Sequence, residues 1–182
     1  MKLPIKKVNR TEMMKRVAYF KDLVGFDGGL PDSHYPGAER TIYNVLGFQP
    51  PENEEGDDLV SPVGSDAAVA AAIPIAEGFN IGYVECEVGK GALMHNHDTN
   101  ETFIGVTGRW KILWEVDDAV ESLEIGPLDV ISIPAGVNRS FVNITEGDAG
   151  DKHIMIGIIG GNNPSAEFSD KAMDLLREKG LV

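Results

Sequence analysis

Residues 89–108 read GKGALMHNHDTNETFIGVTG and place His95, His97 and Glu101 within seven residues of one another. His95 and His97 are two apart, so on a strand, where side chains alternate, both imidazoles project from the same face. Asp98, Thr99 and Asn100 are turn formers, and a bend there brings Glu101 back beside the histidines. Two neutral imidazoles and one carboxylate on one face of an ion make the triad typical of non-haem iron sites, and the same set serves zinc, manganese or nickel. A His-x-His pair alone is as easily polar strand surface, so the surrounding sequence has to decide.

On either side of this stretch, the chain after Gly78 reads as strands at close intervals. They run Asn80 to Val88, Glu101 to Val106, Trp110 to Val116, Ser122 to Ile125, Asp129 to Ile133, Ser140 to Thr145 and His153 to Ile159, with turn residues between them. Many short strands at such spacing imply a sandwich or a closed barrel. Upstream, Asn9 and Glu12 are spaced as a capping box ahead of an apolar stripe of Met13, Val17 and Phe20, which predicts a short helix packed on the outside of the strands. Residues 25–37 are Gly-, Pro- and Asp-rich loop, Arg40 to Gly47 reads as a first strand, and Gln49 to Asp58 is polar and breaks the pattern. Ala67 to Ala72 is a connector closed by Pro74. A last helix is expected after Ser169 as its cap, with Met173, Leu175 and Leu176 as contacts and Gly180 as its stop. Residues 1–78 thus form a helix, loops and an arm strand packed on a barrel core at 79–162, with a C-terminal helix in 163–182, one domain overall.

The bulk properties fit that outline. A chain of 182 residues with 42% apolar and 25% charged residues supports one buried core, and 21 glycines supply many turns. A formal net charge of −13 repels phosphate backbones and argues against a nucleic-acid partner. The basic residues near the start, Lys2, Lys6, Lys7, Arg10, Lys15 and Arg16, are read as a solvated helix face. One cysteine, Cys86, excludes an internal disulfide and suits a reducing compartment. No apolar run is long enough for a membrane helix and no export pattern is visible, so the expected location is the cytoplasm, without membrane association. Neither a P-loop nor a G-x-S-x-G elbow occurs, which argues against nucleotide hydrolysis and serine chemistry.

A second stretch bears on the first. From Leu128 the chain reads LDVISIPAGVNRSFVN. Together the two stretches resemble the motifs of the cupin superfamily. The first family motif is Gly, five residues, His-x-His, three or four residues, Glu, six residues, Gly, and Gly89, His95, His97, Glu101 and Gly108 match every position. The second is Gly, five residues, Pro-x-Gly, two residues, His, three residues, Asn; here Pro134, Gly136 and Asn143 match, while Leu128 and Arg139 depart.

The resemblance implies an all-β fold, the double-stranded β-helix or jelly-roll barrel, holding one divalent metal through His95, His97 and Glu101, with iron the first choice and zinc, manganese or nickel the others. It implies a fourth ligand, a histidine, where this chain has Arg139. A guanidinium has no lone pair to give, so Arg139 cannot ligate a cation. Three ligands leave open positions for water, oxygen or substrate. Facing inward, Arg139 would clamp a carboxylate or phosphate of a substrate; facing outward, it is a surface charge. His153 is the only other candidate ligand, and a lone histidine on a late strand is more simply packed or solvated. Phe103, Phe141, Met155, Trp110 and Trp114 line the cavity or fill the core, and His34 has no partner legible in sequence.

Two classes of function are consistent with this reading: an enzyme acting on a small oxygen-rich organic acid or phenol, dioxygenase-like or an isomerase or lyase, and a non-catalytic small-molecule-binding module. Barrels of this superfamily often pair through an outer strand and an N-terminal arm, which implies a homodimer.

Overall fold

The computed structural model describes residues 2–50 and 59–182. The polar stretch expected at Gln49 to Asp58 therefore lies largely outside the described residues. Among the described residues ten strands form two five-stranded sheets that face each other across the core. They are β1 (Thr41–Leu46), β2 (Phe79–Glu87), β3 (His95–His97), β4 (Glu101–Gly105), β5 (Trp110–Val116), β6 (Ala119–Ile125), β7 (Val130–Ile133), β8 (Arg139–Asn143), β9 (Lys152–Gly160) and β10 (Ala166–Phe168). One sheet has the order β1-β2-β9-β4-β7 and the other β10-β3-β8-β5-β6, and every ladder between these strands is antiparallel. Along much of the chain, successive strands alternate between the sheets, the winding of a double-stranded β-helix.

Alternation along each strand decides what the core receives. On β5 Trp110 and Ile112 turn inward while Lys111 does not; on β4 Glu101 and Phe103 turn inward; on β9 Met155, Gly157 and Ile159 do. The main core cluster contains Cys86, Ala92, Phe103, Trp110, Ile112, Ile125, Ile133, Phe141 and Met155. Four of the five aromatic and Met candidates for a cavity lining thus fill the core, and only Trp114 stays half-buried. Burial pushes the Cys86 thiol up to about 12, so it packs as an apolar residue.

The sequence expectations hold for the strands to within a few residues, with two additions. β3 and β10 are three residues each, too short to show a period, and they pair with one another at the edge of the second sheet. At the N-terminus the capping box forms as read, Asn9 Oδ1 accepting from Glu12 N at 2.9 Å, but helix α1 (Arg10–Met14) stops after five residues. The expected stripe does not bury: Met13, Val17 and Phe20 are all more than a third exposed. Phe20 instead sits in a short 3-10 turn with its ring 5.8 Å from Tyr43 and 6.0 Å from Tyr83. The alanine-rich connector contains a short helix, α2 (Gly64–Ala68), with Ala67 and Ala68 buried against Phe48, Val63 and Ile159.

The last helix, α3 (Asp170–Glu178), is capped by Ser169 and seats Ala172 and Leu176 beside Phe168 of β10. Among the described residues no helix is long and apolar enough to cross a membrane.

Candidate metal centre

The three candidate ligands reach the site from two short strands, and each histidine is held there by a polar contact of its own. His95 opens β3, and its Nδ1 lies 2.8 Å from the carbonyl of Leu93. His97 closes β3, and its Nδ1 lies 3.0 Å from the carbonyl of Ser165, just before β10. A carbonyl only accepts, so both Nδ1 atoms carry protons, and in the neutral imidazole this leaves the lone pair on Nε2. This is how metal-ligating histidines are usually oriented. The two rings stand edge to face, with centroids 5.1 Å apart.

Glu101 begins β4 after the expected turn. That turn is pinned on both sides: Asp98 Oδ1 accepts from Ser165 N at 2.8 Å, and Thr99 Oγ1 donates to the Gly160 carbonyl at 2.9 Å. The Glu101 carboxylate is buried, with Oε2 3.5 Å from His97 Nε2. Two ligands of a single ion, each about 2.1 Å from it, are separated by roughly 3 to 3.5 Å. Ligand atoms of His95, His97 and Glu101 all fall within 4.8 Å of one another, so the group could hold a metal ion. Glu101 Oε2 has no hydrogen-bond partner among the described residues. A buried carboxylate oxygen left bare beside two imidazole lone pairs is the arrangement a cation completes.

Arg139 faces inward. It pairs with His95 across β3 and β8 and with Trp114 across β5 and β8, and it is 0% exposed. Its Nε lies 3.4 Å from Glu101 Oε2, close enough for charge attraction but not aligned as a hydrogen bond. Nε, Nη1 and Nη2 all lack hydrogen-bond partners among the described residues. Burial lowers the guanidinium's pKa and Glu101 opposes that shift, while the group stays cationic. For Glu101 burial acts upward, but His97, Arg139 and His95 outweigh it and hold the carboxyl below its ordinary value. Burial, helped by His97, pushes His95 down to about 4, so its ring is neutral near pH 7.

His153 does not join the group. It lies on β9 opposite Cys86, six residues along the strand from Ile159, the β9 residue paired with Glu101. It packs against Gly108, where a Cβ would come within 2.6 Å of its ring. His34 lines a separate polar cleft of about 290 Å³ with Asp27, Glu39, Glu85 and Lys90.

Several supporting residues were not legible in the sequence. Asp32 and Arg40 form a buried bidentate pair at 3.0 and 2.9 Å, and Asp32 Oδ2 also accepts from Leu93 N at 3.0 Å, holding the residue whose carbonyl orients His95. Ser165 acts through its main chain, which no residue type signals. Gly157 faces the site, where a Cβ would stand 3.6 Å from Glu101 Oε1. A glycine inside a strand is the one such signal a sequence carries, because it marks a close approach.

No protein-family model matches the sequence, and no curated protein matches it. Solved structures share its fold. The oxalate decarboxylase of Lactobacillus farciminis, in its formate complex, superposes with a TM-score of 0.53 at 15% identity over 86% of this chain and 36% of that one. Vicilin from hazelnut, Corylus avellana, gives 0.50 at 13% identity over 82% and 35%. The chain spans about a third of the length of each, and at such identities the likeness is one of fold.

Proposed function

The chain has the cupin fold, a double-stranded β-helix, and from that premise we propose that it is a metal-binding barrel acting on a small oxygen-rich organic acid in an oxygenase-type reaction. His95, His97 and Glu101 hold one divalent ion, iron by preference. The observation that carries this reading is the convergence of two Nε2 atoms on a buried Glu101 Oε2 that has no hydrogen-bond partner among the described residues. A divalent ion there supplies Lewis acidity and, as ferrous iron, a place for dioxygen beside a bound substrate.

The chain's own groups do the rest. The Leu93 and Ser165 carbonyls keep both imidazoles in the ligating tautomer, and the aromatic core begins two residues along β4 from Glu101, at Phe103. Arg139 presents a fork of donors to an acid.

The test is metal content by elemental analysis after purification without chelators, then oxygen uptake after anaerobic ferrous loading with small acids and phenols. Near-stoichiometric metal is expected in the wild type, and a loss of at least tenfold in His95→Ala and His97→Ala with unchanged circular dichroism. Metal retained in both variants would sink the site; a loaded protein that consumes no oxygen with any acid would leave a binding module.

A further inference from the structure

Two histidines acting as ligands contribute no charge, so the balance in this pocket rests on Glu101 and Arg139, both buried, of opposite unit charge and facing each other at 3.4 Å. A divalent ion on the three ligands would leave the pocket with a net charge of +2, and uncompensated charge in a buried site is strongly unfavourable. The same ion draws Glu101 Oε2 away from Arg139, whose three nitrogens have no other partner among the described residues.

A carboxylate lying between ion and guanidinium answers both problems. One oxygen reaches the ion, the other accepts from the fork, and a second ionised oxygen on the same molecule, from a further carboxylate or from a 2-hydroxyl that gives its proton to solvent on meeting the ion, brings the net charge to zero. Space restricts the ligand. Arg139, His97 and Glu101 are themselves buried, and Phe103, Phe141 and Ile112 in the next layer belong to the packed core, so a ligand here has to be small.

We infer that Arg139 couples ion and substrate: the site binds its divalent ion weakly alone and tightly together with a small chelating carboxylate, such as a 2-hydroxy acid or a short dicarboxylate. This rests on the reading of His95, His97 and Glu101 as the ion's ligands. Arg139 repels the bare ion and rewards the pair, and because coupling between two ligands is reciprocal, the ion strengthens acid binding by the factor with which the acid strengthens ion binding.

The test titrates metal-free protein with Mn2+, following free Mn2+ by electron paramagnetic resonance, in buffer alone and with acetate, glycolate or malonate, glycerol serving as the neutral control. Free-ion concentrations are corrected for complexation by each acid in solution. The wild type is expected to bind Mn2+ at least tenfold more tightly with glycolate or malonate and unchanged with glycerol. Arg139→Gln is expected to bind Mn2+ more tightly than the wild type in buffer alone and to gain less than twofold from any acid.

Equal wild-type affinity with and without every acid overturns the coupling while leaving the metal site standing, and so does an Arg139→Gln protein that keeps the tenfold gain. No Mn2+ binding under any condition overturns the metal site and the coupling with it. Should Arg139→Gln fail to fold, Arg139→Lys, which keeps the charge and loses the fork, takes its place: its gain from malonate is expected to fall well below that of the wild type, and a retained tenfold gain overturns the inference.

Discussion

At the scale of single residues the site is built from ionisable groups whose states the fold has already chosen. His95 illustrates the sign of the resulting pH dependence in the metal-free protein. Its folded value of about 4 lies below the ordinary 6.5, so as the pH falls below 6.5 the unfolded chain takes up a proton that the folded chain refuses. Stability should therefore decline between pH 6.5 and about 4. Glu101 acts in the same direction, because its depressed carboxyl contributes stability above its ordinary value that is lost as the pH falls through the folded one. Urea midpoints measured from pH 7 to 4 should drop steadily in the wild type and more shallowly in His95→Gln; parallel slopes would show that His95 is not the group responsible. The Asp32–Arg40 pair stands one contact further out, with both charges buried, matched and linked through Leu93 to the orientation of the His95 ring.

At the scale of elements, the turn between β6 and β7 shows a departure from the family motif that the backbone has not followed. The second motif calls for glycine where this chain has Leu128, and Leu128 adopts a φ of +70°, the left-handed conformation a glycine would take freely. Pro127 precedes it, and Asp129 N bonds back to the Gly126 carbonyl at 3.2 Å, the arrangement of a turn with Pro at its second position and positive φ at its third. The leucine side chain is 84% exposed, so it offers no packing to offset the strain. Leu128→Gly should raise the unfolding free energy by about 1 kcal/mol, the left-handed penalty less the extra chain entropy of glycine. Denaturant unfolding checks this, and a destabilised variant would mean that the leucine makes contacts that outweigh its backbone cost. The edge pair β3–β10 has the opposite character: three residues long, it is backed by the Phe168, Ala172 and Leu176 cluster that joins β10 to α3, while His97 is held by the Ser165 carbonyl just before β10.

At the scale of the whole molecule, charge is divided sharply along the chain. Residues 1–24 carry seven Lys or Arg against two acidic residues, whereas the remainder carries nine against 27. The same N-terminal arm leaves Leu3, Ile5, Tyr19, Phe20 and Val24 more than half exposed. Beside Phe20 an apolar groove of about 300 Å³ opens between Tyr83, Val106, Ile154 and Ile156 on the outer face of the first sheet. A basic arm studded with apolar side chains is complementary to an acidic barrel with an apolar groove, and a second copy of the chain offers both. The expected state is a homodimer: light scattering at micromolar concentration should return about twice 19.7 kDa, falling toward the single-chain mass as salt is raised. A single-chain mass at low salt would count against pairing.

What could be read from the sequence is what local chemistry dictates. Short runs between turn residues marked β1, β2 and β4 to β9, the Asp98–Asn100 turn placed Glu101 near the histidines, and one motif in full and a second in part matched a known fold. The missing pieces are long-range. Whether Arg139 faced the metal ligands or the solvent depended on strand register, in which a shift of one residue reverses the face; that register is set by pairing β8 with β3 and β5, 44 and 25 residues away for Arg139 itself. The carbonyls of Leu93 and Ser165 that choose the histidine tautomers are main-chain groups, identical in every residue type, so only their placement in space gives them a role. Ligand identity is thus a property of side chains and legible along the chain, while ligand orientation and the charge balance around it belong to the folded barrel.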